Sequence, residues 1–257
     1  MSLSVAILGS GNTAYHLLRA FNSSDVHLAG LISRDLAKGR ETLEASGANC
    51  GLIGGSIQTE LEADVVILAV PESALTKVVR FYTFRKDQVV VHTSGAESMS
   101  TLSFQNSGVF YPLQTMTWGE PMDFSNVPIL IEGSNDQVES KLIDLAEAIT
   151  SQVRMASSEE RQYYHAAAVI SANFSNHLIG KAESFLATKS LNMDLLFPLI
   201  EETVRKAKTI GAKKAQTGPA LRGDEATMNR HLDLISDEST KELYRLISED
   251  IRRFHGN

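Results

Sequence analysis

The chain has 257 residues, 43% of them hydrophobic, and a net charge of −7. That is enough to build one large domain or two modest ones, with nothing that marks disorder. The acidic balance argues against a nucleic-acid partner, and the lone cysteine, Cys50, excludes an intramolecular disulfide or a cysteine metal cluster. No charged leader precedes the first apolar run, and runs such as residues 65–70 are far too short to span a membrane. A soluble, cytoplasmic protein is the expectation.

The first element organises the rest. Ser4-Val5-Ala6-Ile7-Leu8 reads as a buried parallel strand that runs into Gly9-Ser10-Gly11-Asn12-Thr13-Ala14. Gly9 permits a sharp turn, Gly11 lets a phosphate approach the backbone, and Ala14 is small enough for a helix to pack on the sheet. Tyr15, Leu17, Leu18 and Phe21 give that helix a sheet-facing side. Its N-terminus offers free N–H groups and a positive dipole end to a pyrophosphate. Strand, turn and helix together predict a dinucleotide site, with Gly9, Ser10, Gly11, Asn12 and Thr13 around the phosphates.

A second strand over residues 26–32 ends in Ser33-Arg34-Asp35. An acidic side chain at this strand end would hold a ribose 2′-OH and repel a 2′-phosphate. Here Ser33 can donate to a phosphate, and Arg34 can fork onto one or stack on the adenine. NADP is therefore favoured over NAD. Asp35 complicates this, but it also suits the N-cap of a helix over 36–45.

Residues 47–55 carry four glycines and predict a loop with at most a short strand. Residues 63–70 form a buried strand stopped by Pro71. In a doubly wound sheet ligands sit outside the carboxyl ends of the strands, so Ala69, Val70 and Pro71 should face the cofactor. A strand over 88–92 leads to Thr93-Ser94-Gly95-Ala96, where small residues, Ser94 and Gly95 among them, leave room for the nicotinamide ribose. His92 is either a proton donor or a histidine hydrogen-bonded locally. After a short strand over 109–111, Gln114, Thr115 and Thr117 can face a substrate, and Trp118 either caps it or packs. A strand over 128–131, a helix opened by the capping-box spacing of Ser134 and Gln137 and running to Ile149, and a strand over 152–155 complete the sheet.

From Ser157 onward only helical periodicity remains. Ser157 and Glu160 have capping-box spacing, and the domain boundary is placed at 156: a dinucleotide-binding domain over 1–156, a helical substrate and dimerisation domain over 157–257. Small residues at 166–168 imply close helix–helix packing, as across a dimer axis. On one regular helix His165 and Asn173 lie about 80° apart and can share a cleft. A second helix spans 194–210 and stops at Gly211. Residues 217–224 look too punctuated for helix. There Arg222 can clamp a carboxylate or phosphate, or pair with Asp224, and Asp224 caps a helix carrying His231. A last helix spans 238–254.

These motifs resemble a family of Rossmann-like NADP oxidoreductases, grouped with the deazaflavin-dependent ones, whose C-terminal half is a helical domain of unknown function. The likeness covers the whole chain. It is carried by Gly9-Ser-Gly-Asn-Thr-Ala14, His92-Thr-Ser-Gly-Ala96, Tyr164-His-Ala-Ala-Ala168 with Asn173, Thr217-Gly-Pro219, Arg222-Gly-Asp224 and His231. More distantly the chain is similar to pyrroline-5-carboxylate, ketopantoate and 3-hydroxyisobutyrate enzymes, which bind the cofactor on the first domain and dimerise through the second. The resemblance implies an α/β Rossmann-type sheet, a helical second domain, NADP and a homodimer. Hydroxyacid dehydrogenases of that group place a lysine four residues before an asparagine, where this chain has Val169. His165 or His231 would then be the proton donor, with Asn173 orienting a small carbonyl or imine substrate and Arg222 holding its charge, in a cleft between the domains. A non-catalytic NADP-binding regulator is the alternative. The deazaflavin follows only from the family's name.

Overall fold

The computed structural model describes residues 3–54 and 62–256. Gly55, at the end of the expected glycine-rich loop, lies outside them. Among the described residues eight strands form one sheet: β1 (Ser4–Leu8), β2 (His27–Ser33), β3 (Leu52–Gly54), β4 (Val65–Leu68), β5 (Val89–His92), β6 (Ser107–Pro112), β7 (Ile129–Gly133) and β8 (Val153–Met155). Their order is β3-β2-β1-β4-β5-β6-β7-β8. Every pairing is parallel except β6 with β7. The chain winds outward from β1 to β3 and returns to β4 on the other side of β1. That reversal opens a crevice at the carboxyl ends of β1 and β4.

The pleat sorts the apolar residues onto two faces. Val5 and Ile7 join a core completed by Leu17 and Phe21 of α1 (Asn12–Asn22) and Leu142 of α4 (Asp136–Glu147). Ala6 and Leu8 join the opposite one with Leu75 of α3 (Glu72–Phe81). Asp35 caps α2 (Leu36–Ser46) as expected, accepting from the amides of Ala37 and Lys38. Ser134 does not cap α4. Asn135 does, accepting from the Val138 amide, while the Ser134 hydroxyl donates to the Gln105 carbonyl.

The Ser157–Glu160 capping box is present and opens α5 (Ser158–Ala168). α5 then passes through a π-helical turn, Val169–Asn173, into α6 (Phe174–Ala187). The 80° expected between His165 and Asn173 rested on regular α-geometry, which this wider turn breaks. Two compact units divide after Ala172, not at 156. The pattern switch at Ser157 marks where strands end, but α5 stays bonded to the sheet.

The second unit continues through a 3₁₀ turn (Met193–Leu196), α7 (Phe197–Ile210), α8 (Ala212–Ala215), α9 (Pro219–Arg222), α10 (Glu225–Leu234) and α11 (Glu238–His255). α9 is a helical turn where none was expected: Pro219 starts it, and Gly223 ends it at φ +66°. No described residue of α6, α7 or α11 is buried. Among the described residues no helix is long and apolar enough to cross a membrane.

Candidate active site

Eight of the residues expected at the cofactor line one cleft of about 610 Å³ at the carboxyl ends of β1, β2 and β4: Gly9, Ser10, Gly11, Ser33, Arg34, Ala69, Val70 and Pro71. Gly9 turns at φ +128° against β4, too close to the Ala69 carbonyl for any Cβ. At Gly11 a Cβ would meet nothing within 4 Å. Gly11 is also the N-cap of α1 and offers no side-chain cap, so the first amides of the helix are left for an anion. The cleft therefore has the open, donor-lined floor that a pyrophosphate needs.

Ser33 departs from its expected part. It is buried, and its hydroxyl is bonded to the Asp35 carbonyl at 2.7 Å and to Ser10 Oγ at 3.2 Å. It shapes the floor and presents no free donor. Arg34 is exposed and, like Lys38 and Lys77 on the same walls, has no ion pair among the described residues. Phe81 and Tyr82 add aromatic surface to that end. Asn12 turns away: its amide donates to the Met116 carbonyl, and His16 bonds that of Thr117, stapling the loop after β6 to α1. Thr13 follows Asn12 in the first turn of α1 and is not part of the cleft wall. Trp118 packs on Tyr15, with ring centroids 5.7 Å apart.

A second polar cluster sits where β5 and β6 end. His165 Nδ1 of α5 lies 2.9 Å from the Tyr111 hydroxyl at the end of β6, ring edge against ring. Gly95 is buried beneath both. A Cβ there would lie 2.5 Å from His165 Nδ1 and 2.8 Å from Tyr111 Cζ. Burial pushes the Tyr111 phenol up, Arg161 opposes that, and Glu72 adds to it. Ser94 is also buried. Its hydroxyl donates to Glu72 and accepts from the amides of Ala96 and Glu97. It folds this loop and has no donor left for a ribose.

His92 is fully buried. Nδ1 accepts from the Ser94 amide, Nε2 donates to the Ser98 carbonyl, and burial followed by the charge of Arg161 lowers its pKa to about 4. Of the two readings of His92, the local hydrogen-bonding one holds.

Comparison with known proteins fits this geometry. Residues 4–95 match the family described as NADP oxidoreductase, coenzyme F420-dependent, and residues 127–251 match a domain of unknown function, DUF2520. A candidate NADP oxidoreductase from Bacteroides fragilis is 30% identical, with 100% of this chain and 99% of that one covered and a TM-score of 0.90. The chain belongs to this NADP oxidoreductase family.

The family's cofactor is NADP, and the open floor at Gly11 and the unpaired cations beside Arg34 fit it. The fold is shared more widely. An imine reductase from Myxococcus stipitatus, solved with NADP+, is 13% identical with a TM-score of 0.67, covering 98% of this chain and 96% of that one. A 1-pyrroline-5-carboxylate reductase from Streptococcus pyogenes is 13% identical with a TM-score of 0.63, covering 98% and 99%. No curated protein matches the chain.

The remaining expected residues of this oxidoreductase lie in its second unit. Asn173 closes the π-turn and is exposed; Arg222 ends α9, exposed and without an ion pair among the described residues. His231 Nδ1 is bonded to the Tyr244 hydroxyl at 2.9 Å, beside an apolar cavity of about 520 Å³ that includes neither Asn173 nor Arg222. Sequence reasoning missed Tyr111, Glu72, Lys38 and Lys77. Tyr111 and Glu72 had a usable signal, since each stands at or just past the carboxyl end of a strand, where such sheets place their chemistry.

Proposed function

We propose that this family member transfers hydride between NADP(H) and a small carbonyl or imine compound, with Tyr111 and His165 as its proton couple. The observation that carries the reading is that couple, standing where β5 and β6 end, at the same carboxyl edge of the sheet onto which the dinucleotide cleft of β1, β2 and β4 opens. When bound, the nicotinamide supplies or accepts the hydride. The chain's own residues do the rest. The Gly9–Gly11 turn and the first amides of α1 hold the pyrophosphate, while Arg34, Lys38 and Lys77 hold the 2′-phosphate.

Reduction of a carbonyl or imine needs one proton for each hydride. Tyr111 Oη and His165 Nδ1 share a hydrogen bond, and no bond to His165 Nε2 is found among the described residues. Nε2 is thus the free atom from which a proton can pass, with Tyr111 steadying the opposite nitrogen.

The test is NADPH consumption over a panel of keto acids and cyclic imines by the wild type, His165→Ala and Tyr111→Phe. Loss of about a hundredfold in turnover by His165→Ala supports the reading. Unchanged turnover removes the couple from the chemistry. NADPH binding with no turnover of any compound would favour the regulator. We further propose a homodimer through the second unit, supported by the finding that no described residue of α6, α7 or α11 is buried.

A further inference from the structure

The one buried residue of α5 is a charged one. Arg161 is fully buried, whereas its neighbours Gln162, Tyr163 and Tyr164 are exposed. Its Nη1 donates to Glu132 Oε2 at 2.5 Å, and its Nη2 donates to the Glu97 carbonyl at 2.5 Å and to Ser158 Oγ at 3.2 Å. Ser158 donates in turn to Glu132 and accepts from the Met99 amide. Gln162 adds a bond to the Ala96 carbonyl at 2.8 Å. α5 is therefore fastened to β7 and to the loop after β5 by directional polar bonds.

That choice is costly, and its use lies in geometry. Burying an ion pair takes two charges out of water and is weak evidence for stability. An apolar contact lets a helix slide or roll, but a guanidinium fork fixes both its register and its rotation. His165 follows Arg161 by four residues, so the two share one face of α5. The loop that Arg161 holds through Glu97 also contains Gly95, against which His165 and Tyr111 pack.

We propose that Arg161 is the positioning residue that sets His165 Nδ1 against Tyr111. This rests on the reading of those two side chains as the proton couple. Arg161 touches no reacting atom; it acts through α5.

The experiment uses the full chain and two variants. Arg161→Lys keeps the charge and loses the fork, and Arg161→Met loses both. Nitrogen-15 NMR of the imidazoles, with His165 assigned through His165→Gln, reports the hydrogen bond at Nδ1. NADPH titration checks the distant cleft. The Nδ1 signal should move part-way towards that of Tyr111→Phe in the lysine variant and fully in the methionine variant, with NADPH affinity within about twofold of wild type. On any substrate found, kcat should fall about tenfold with KM little changed, and the lysine variant should recover part of the loss. A wild-type Nδ1 signal in Arg161→Lys overturns the proposal. Should the proton couple itself prove uninvolved in turnover, the NMR comparison still decides whether Arg161 sets the pair, so the two failures are distinguishable.

Discussion

A methyl group on Gly9 would stand 2.1 Å from the Ala69 carbonyl oxygen, so closely does the chain just past β1 approach the chain just past β4 at the cleft. Gly9→Ala must push those strand ends apart and force alanine into a positive φ. A loss of about 2–4 kcal/mol in unfolding free energy is expected from the clash and the strained backbone together. Denaturant unfolding measures it, and NADPH titration should show binding abolished. Gly11→Ala, which meets nothing, should leave stability nearly unchanged while weakening NADPH.

Arg34 should decide between cofactors. Its guanidinium has no ion pair among the described residues, so removal exposes no stranded partner. A hydrogen bond to a charged group contributes about 1.5–3 kcal/mol, so Arg34→Ala should weaken NADPH by about ten- to a hundredfold and leave NADH nearly unaffected. Lys77→Ala should act in the same direction. Fluorescence titration of both cofactors tests this, and equal losses for the two would contradict a 2′-phosphate role.

Much of this architecture is written in the sequence, and the gaps have physical causes. β1, the glycine turn, β4 and the caps at Asp35, Ser157 and Asp224 follow from local patterns that tertiary contacts only reinforce. The cap of α4 fell one residue away because Ser134 and Asn135 are both good cap formers, and only the pull of the Gln105 carbonyl on Ser134 decides between them. Arg161 was invisible because Glu159-Glu160-Arg161-Gln162 looks like a solvated helix face; its burial depends on Glu132, some thirty residues back. Ser33 lines the cleft, and Ser94 lies in the loop after β5, but the hydroxyls of both are taken up by neighbours and are not free for a ligand. Whether a hydroxyl is free depends on neighbours that pattern alone does not reveal.

His92 should make the protein acid-sensitive. Its folded pKa of about 4 lies below the ordinary 6.5, so the unfolded chain binds the proton more readily. Stability from this group is complete above pH 6.5 and is lost as the pH falls towards about 4. The shift corresponds to about 3 kcal/mol. Unfolding of wild type and His92→Gln across that range should give curves of different slope. Parallel curves would show that His92 does not titrate this way.

Phe174, Leu199, Leu246 and Phe254 of the second unit are large, apolar and exposed. If the second unit completes its core with another copy, the chain should sediment as a dimer and unfold at a temperature that rises with concentration. Phe174→Glu together with Leu246→Glu should yield a monomer of lower stability. A wild-type monomer at micromolar concentration would rule the dimer out.

The attachment of α5 also tells where this protein can be taken apart. A cut after Ala156 would follow the change in pattern, yet it would strip Arg161 from Glu132 and leave a partly buried carboxylate facing an empty socket. A cut after Ala172 respects every hydrogen bond that ties α5 to the sheet. The segment that can be exchanged among relatives is therefore the one beginning at Asn173. Grafts made at that seam should carry a foreign helical half without disturbing His165, whereas grafts made sixteen residues earlier would transplant one member of the proton couple and abandon the other.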